Sequence, residues 1–163
     1  MASSINIGLP QPMPTRGIYA FRRPMTFSSA PGTLLPPDSS GVIKIDDLVQ
    51  YQAVNSEKVK SVHGVDTLSP GNQGAWDWRG KGWLMIASSH WECLGFGHTD
   101  DDNHWIVTYF AKTLFTPAGI DIYSRSKGGL PESSIQEILK TLEGFGVEEI
   151  TTLANSIFQI PHY

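Results

Sequence analysis

Eight of the eleven prolines in this 163-residue chain precede Gly71, chiefly in Pro10–Pro14 and Pro31–Pro37. Each removes an amide donor and clashes with the preceding helical turn, so this part of the chain excludes any long helix. What remains open to it is short extended pieces. Met1–Thr15 reads as an extended arm, with a strand near Gly17–Phe27 and a loop over Ala30–Gly41. Val42–Ile45, Leu48–Val54 and Lys58–Val65 have strand composition, and Ser69–Gly74 (Ser-Pro-Gly-Asn-Gln-Gly) is a strong turn signal.

The middle of the chain continues the β pattern. Gly82–Gly97 lacks proline and is rich in aromatic residues, and the polar Thr99–Asn103 turn joins it to a second strand, His104–Phe115. A tight turn at Thr116–Gly119 then leads into Ile120–Arg125, completing a three-stranded meander. The end of the chain changes period. Pro131-Glu132 opens a helix carrying Ile135, Ile138, Leu139 and Leu142 at helical spacing, and Gly144 closes it. Ile150, Leu153, Ala154 and Ile157 repeat the pattern before Pro161. The expected fold is mainly β: a small antiparallel β-barrel or strongly curved sheet with one or two C-terminal helices. One domain is expected over 1–163, divided into an arm (1–15), a β body (16–126) and a C-terminal helical segment (131–160).

Composition excludes several classes of partner. A net charge of -4 with no basic stripe gives no electrostatic basis for nucleic acid or an anionic membrane surface. No apolar run approaches the ~18 residues of a membrane helix. Met1–Arg16 does not read as a secretory signal, because three prolines interrupt it and its one basic side chain is Arg16. Cys93 is the sole cysteine, which rules out an intramolecular disulfide and fits a reducing compartment. A cytoplasmic location is expected.

All five tryptophans, Trp76, Trp78, Trp83, Trp91 and Trp105, fall within thirty residues, accompanied by His90, His98 and His104. Such a concentration marks a heavy core or a binding surface. If both meander turns are tight, His90 lies opposite Lys112, Glu92 opposite Phe110, and Lys112 opposite Tyr123. One face then carries His90, Glu92, Lys112, Asp121, Tyr123 and Arg125 among Leu84, Ile86, Leu94, Phe96, Ile106, Phe110 and Leu114. The other carries Trp83, Met85, Ala87, Ser89, Trp91, Cys93, Trp105, Val107, Tyr109, Ala111, Thr113, Phe115, Ile120 and Ile122, with no charge. The bland reading makes the uncharged face the core and the charged face a solvated surface. The sharper reading makes the charged face a pocket. There His90 and Glu92 would exchange protons, Lys112 and Arg125 hold or stabilise negative charge, and Tyr123 donate to a substrate oxygen. Phe96, Phe110 and Trp78 would contact the ligand.

Other constellations carry less. The histidines lack metal-binding spacing, and the aspartates of Asp100–Asp102 are contiguous where a calcium loop alternates its ligands, so no metal is expected. There is no Gly-x-Ser-x-Gly elbow, and Gly95-Phe96-Gly97 lacks the third glycine of a dinucleotide site, so no cofactor is expected either. Cys93 reads as a structural thiol, and His63 and His162 as surface groups with no evident partner. Arg79 beside Trp76 and Trp78 suggests cation–π closure of one barrel end.

Gly74-Ala75-Trp76-Asp77-Trp78-Arg79-Gly80-Lys81-Gly82-Trp83, followed by a β meander and a C-terminal helix, resembles the calycin or lipocalin-like barrels over about residues 40–145. Those barrels often carry Gly-x-Trp near one end, although typically on the first strand, whereas here it lies mid-chain. The resemblance implies a cavity for a small apolar or aromatic molecule, and some such barrels are cofactor-independent enzymes. Three functions are therefore expected in competition: small-molecule binding in a barrel cavity, acid/base catalysis by an isomerase, cyclase or lyase, and a carbohydrate- or protein-binding module. The last requires Trp76 or Trp78 to face solvent.

Overall fold

A computed structural model describes residues 16–21, 25–29, 33–36, 39, 41–53, 58–72, 74–113, 116–126 and 128–160. The expected N-terminal arm, Leu114 and His162 lie outside these. The described strands are β1 (Arg16–Phe21), β2 (Met25–Ser29), β3 (Thr33–Leu34), β4 (Lys44–Ala53), β5 (Val59–Leu68), β6 (Ala75–Gly80), β7 (Ser88–His98), β8 (His104–Phe110), β9 (Gly119–Ser124) and β10 (Ile157–Gln159). They form one antiparallel sheet in the order β10-β1-β9-β8-β7-β6-β5-β4-β2, with β3 paired to β4. β1 and β2, near opposite ends of that order, touch each other. The sheet is therefore curled like a barrel wall. Two helices, α1 (Glu132–Glu143) and α2 (Glu148–Ala154), stand between β9 and β10. The expected mainly-β fold with C-terminal helices is the fold of the molecule, and no helix among the described residues is long and apolar enough to cross a membrane.

Sequence explains most of these boundaries. The β7–β8 hairpin closes through Thr99 N–H donating to the Asn103 carbonyl at 3.1 Å. Asp102 takes φ +60° there, a conformation that Asp and Asn tolerate better than other side-chain-bearing residues. Asn103 is buried, and its amide group bonds Gly129 O (2.9 Å) and Ser126 N–H (3.0 Å), tying the hairpin to the segment that enters α1. Pro131 caps α1 and Glu132 sits in its first turn, favourable against the helix dipole. Ile135, Ile138 and Leu142 turn inward at helical spacing and, with Ile150 and Leu153 of α2, cover Val107, Ile120 and Ile122 on one face of the sheet. Each such side chain taken fully from water contributes about 1.5–3 kcal/mol.

Three boundaries differ from expectation. Gly82–Ala87 is not strand: Gly82 at φ +61° opens a 3₁₀ turn over Gly82–Leu84, and β7 begins only at Ser88. The alternating Trp83, Met85 and Ala87 therefore do not line a sheet face; Trp83 is 86% exposed. β8 ends at Phe110 and β9 starts at Gly119, and the chain reverses between Thr113 and Thr116, where Thr113 N–H donates to Thr116 O at 2.8 Å and the two hydroxyls meet at 2.9 Å, earlier than the expected turn at Thr116–Gly119. Ile157 leaves the second helical pattern to pair with Phe21 across β10 and β1.

Candidate functional site

Register decides which side chains meet. Near the hairpin turn His98 pairs with His104 and Phe96 with Ile106, but beyond it Cys93 pairs with Thr108 and Glu92 with Tyr109. The difference is a β-bulge at Leu94, one extra residue that reverses which face the earlier part of β7 presents. Leu94 packs against the helix-covered core. His90 and Glu92 thus share the outer face with Val107 and Tyr109, while Trp91 and Cys93 join Phe96, Ile106, Thr108 and Phe110 on the opposite face.

The expected catalytic set is dispersed accordingly. His90 and Glu92 are brought together on the outer face, 3.2 Å apart, with Asp77 Oδ1 at 2.9 Å from the other ring nitrogen of His90. Tyr123 pairs with Ile106, not Lys112, and faces inward, its hydroxyl donating to Asp121 at 3.0 Å. Lys112 and Arg125 are exposed past opposite ends of the β8–β9 pair, separated by more than the roughly 17 Å of the paired strands. The earlier β8–β9 turn, between Thr113 and Thr116, is the reason. Phe96, Phe110 and Trp78 do share the inner face. Arg79 alternates to the outer face, where its Nε donates to Met85 O at 3.0 Å, so it does not stack on Trp76 or Trp78. His63 is exposed as expected, yet it is paired with Asp46 at 3.0 Å, which Lys81 also contacts.

The inner face continues across β6, β5 and β4 through Trp76, Trp78, Asp66, Leu68, Ile45 and Asp47. α1 and α2 pack on the other side, yet Asp66 is only 4% exposed and Trp76 3%. The curl of the sheet buries them, which makes this face the concave one. Trp76 and Trp91 stack with ring centroids 5.6 Å apart and planes inclined by 11°. Gly64 makes room for the neighbouring indole: a Cβ there would lie 2.2 Å from Trp78 Cε2. Trp78 can therefore lie across β5 towards Asp47, the β4 partner of Gly64.

Two carboxyl groups in this setting are strongly perturbed. Burial pushes Asp66 up to about 7, aided by the charge of Asp47 and opposed by the Trp91 indole N–H, which donates to Asp66 Oδ1 at 2.7 Å. Burial likewise pushes Asp47 up to about 6. The Trp78 indole N–H opposes that rise from beside the carboxyl, without the alignment of a full hydrogen bond. Groups of this kind, desolvated and titrating near neutrality within a concave surface, cluster at functional sites. By contrast, the outer Asp77 is held below the usual carboxylate range, first by its bond to His90 and then by Ser69 Oγ at 2.7 Å. Burial raises the Cys93 thiol, which suits a structural thiol rather than a nucleophile.

Asp47 and Asp66 are the site residues that the sequence reading missed. A signal was present. Ile45-x-Asp47-x-Val49 and Val62-x-Gly64-x-Asp66-x-Leu68 each place an acid on an otherwise apolar strand face, a pattern that a solvated surface seldom shows.

The curled antiparallel sheet is compatible with a calycin-like fold, and its concave face is of a kind that can hold a small molecule. No family model matches the chain. It is similar to the Botcinic acid biosynthesis cluster B protein 12 of Botryotinia fuckeliana (strain B05.10), with 27% identity over 116 residues, covering 68% of this chain and 53% of that protein. The chain thus spans about half the length of the curated relative it matches.

Proposed function

We propose that this protein binds a small, largely apolar or aromatic molecule on the concave face of its sheet. The observation that carries this reading is the inner face itself: Trp76, Trp78, Trp91, Phe96 and Phe110 share it with the buried Asp66 and half-buried Asp47 carboxyls, and neither α1 nor α2 covers it. Such a surface combines apolar contact area with a few polar groups that fix orientation, the usual composition of a ligand site. The similarity to a protein named for a biosynthesis cluster supports a role in small-molecule metabolism. Mass spectrometry of compounds released on denaturing protein from its native source tests the reading. One organic compound in stoichiometric amount is expected; repeated recovery of none lowers this reading below the next.

The second reading is cofactor-independent acid/base catalysis by an isomerase, cyclase or lyase. Two places favour it: the Asp77–His90–Glu92 series on the outer face, and Asp66, which at neutral pH is divided between acid and base forms. Incubating wild type, His90→Ala and Asp66→Asn with a recovered ligand and following its conversion separates these places. Wild-type turnover in both variants removes the two from consideration. The module reading loses its main support, because Trp76 is buried and Trp78 half-buried.

A further inference from the structure

Trp76 is 3% exposed, yet its indole N–H meets no acceptor among the described residues, whereas the N–H of half-buried Trp78 lies beside the Asp47 carboxyl. Trp91, on the same face and stacked on Trp76, is satisfied by Asp66. A buried donor left without an acceptor costs about 1–3 kcal/mol, and folded proteins retain few of them. Indole nitrogen only donates, so what completes this face must offer a hydrogen-bond acceptor. Asp47, Asp66 and Asp121 share the face, and their charge opposes an anionic one. The acceptor that fits is a neutral oxygen.

We infer that the molecule held on the concave face is an apolar compound bearing a neutral carbonyl or ether oxygen, received by the indole N–H of Trp76. The inference rests on the reading of the concave face as a ligand site and adds the chemical class of the ligand. Phe96, Ile106 and Phe110 supply the apolar wall, and the Trp76 indole donor selects for oxygen. A carboxylate is rejected by the acids and a plain hydrocarbon leaves the Trp76 donor unmatched.

Three probes of the same shape separate these terms: 2-acetylnaphthalene, 2-ethylnaphthalene and 2-naphthoate, titrated calorimetrically into the full chain at pH 8. The acetyl compound is expected to bind about tenfold tighter than the ethyl compound, the ratio that one well-placed hydrogen bond supplies, with the naphthoate weaker than either. Trp76→Phe, which keeps a ring for the stack but removes the N–H, is expected to erase the tenfold difference. Should that variant fail to fold, the wild-type indole ¹⁵N–¹H spectrum gives the same information, with the Trp76 proton moving downfield with the acetyl compound only. Equal affinities for the acetyl and ethyl compounds, or preference for the naphthoate, overturn the inference and leave apolar binding standing. No binding of any of the three overturns both.

Discussion

The two faces of β8 and β9 are built from alternate residues of the same strands, yet they follow different rules. The outer face there is Val107, Ile120 and Ile122 under α1 and α2, apolar and fully enclosed. The inner face is Thr108, Asp121 and Tyr123, continuing to Asp66 and Asp47 across the sheet. A core selected for stability alone has no use for buried acids, since desolvating a carboxyl is unfavourable unless it is fully paired. The contrast separates a face that holds the fold together from a face whose polar groups act against folding and so point to function.

That contrast can be broken experimentally. The largest expected effect lies on the enclosed face: Ile122→Ala should cost roughly 2–5 kcal/mol in urea unfolding, through lost transfer energy and a cavity under the helices. On the inner face the sign reverses. The folded-state pKa of Asp66 is about 7, above the ~3.9 of an unfolded aspartate. As pH rises between those values the unfolded chain releases its proton first, so stability falls across that window and stays reduced above it. Asp66→Asn should therefore stabilise by roughly 2–4 kcal/mol at pH 8 and by almost nothing at pH 4. Destabilisation at pH 8 would show that the carboxylate is a structural partner, and the distinction between the faces would fail.

Smaller effects sharpen the picture. Gly64→Ala places a Cβ against the Trp78 indole and should cost about 1–3 kcal/mol while shifting tryptophan emission. Gly95→Ala, where a Cβ would meet nothing within 4 Å, serves as its near-neutral control. The smallest change belongs to His90, whose pKa is raised first by its bond to Asp77 and further by Glu92 against some desolvation. The stabilisation from its charged form is complete below the unfolded value of ~6.5 and is lost as pH climbs through the raised folded value. For this partly exposed pair, His90→Gln should cost under about 1 kcal/mol at pH 5.5 and less at pH 9, read from thermal midpoints.

The fold was largely legible in the sequence because its signals are local. Prolines exclude helix early, Thr99–Asn103 marks a hairpin, and Ile135, Ile138 and Leu142 mark a helix face. Alternation along β8 and β9 also placed Ile106, Phe110, Asp121 and Tyr123 together correctly. The site was less legible because it depends on register. A single extra residue at Leu94 moved His90 and Glu92 to the other face and brought Trp91 in, and the earlier β8–β9 turn separated Lys112 from Arg125. Neither feature has a distinctive composition. Asp47 and Asp66 meet the tryptophans only through the pairing of β4, β5 and β6, contacts that no local pattern encodes.

In the proposed function the concave face, which neither α1 nor α2 covers, receives the ligand. The most direct measurement is the calorimetric affinity for 2-acetylnaphthalene of Phe110→Asp, on that face, beside Glu92→Gln on the other, each confirmed folded by circular dichroism. The account predicts loss of binding in Phe110→Asp and an unchanged Kd in Glu92→Gln. An unchanged Kd in Phe110→Asp, or loss in Glu92→Gln alone, would contradict it.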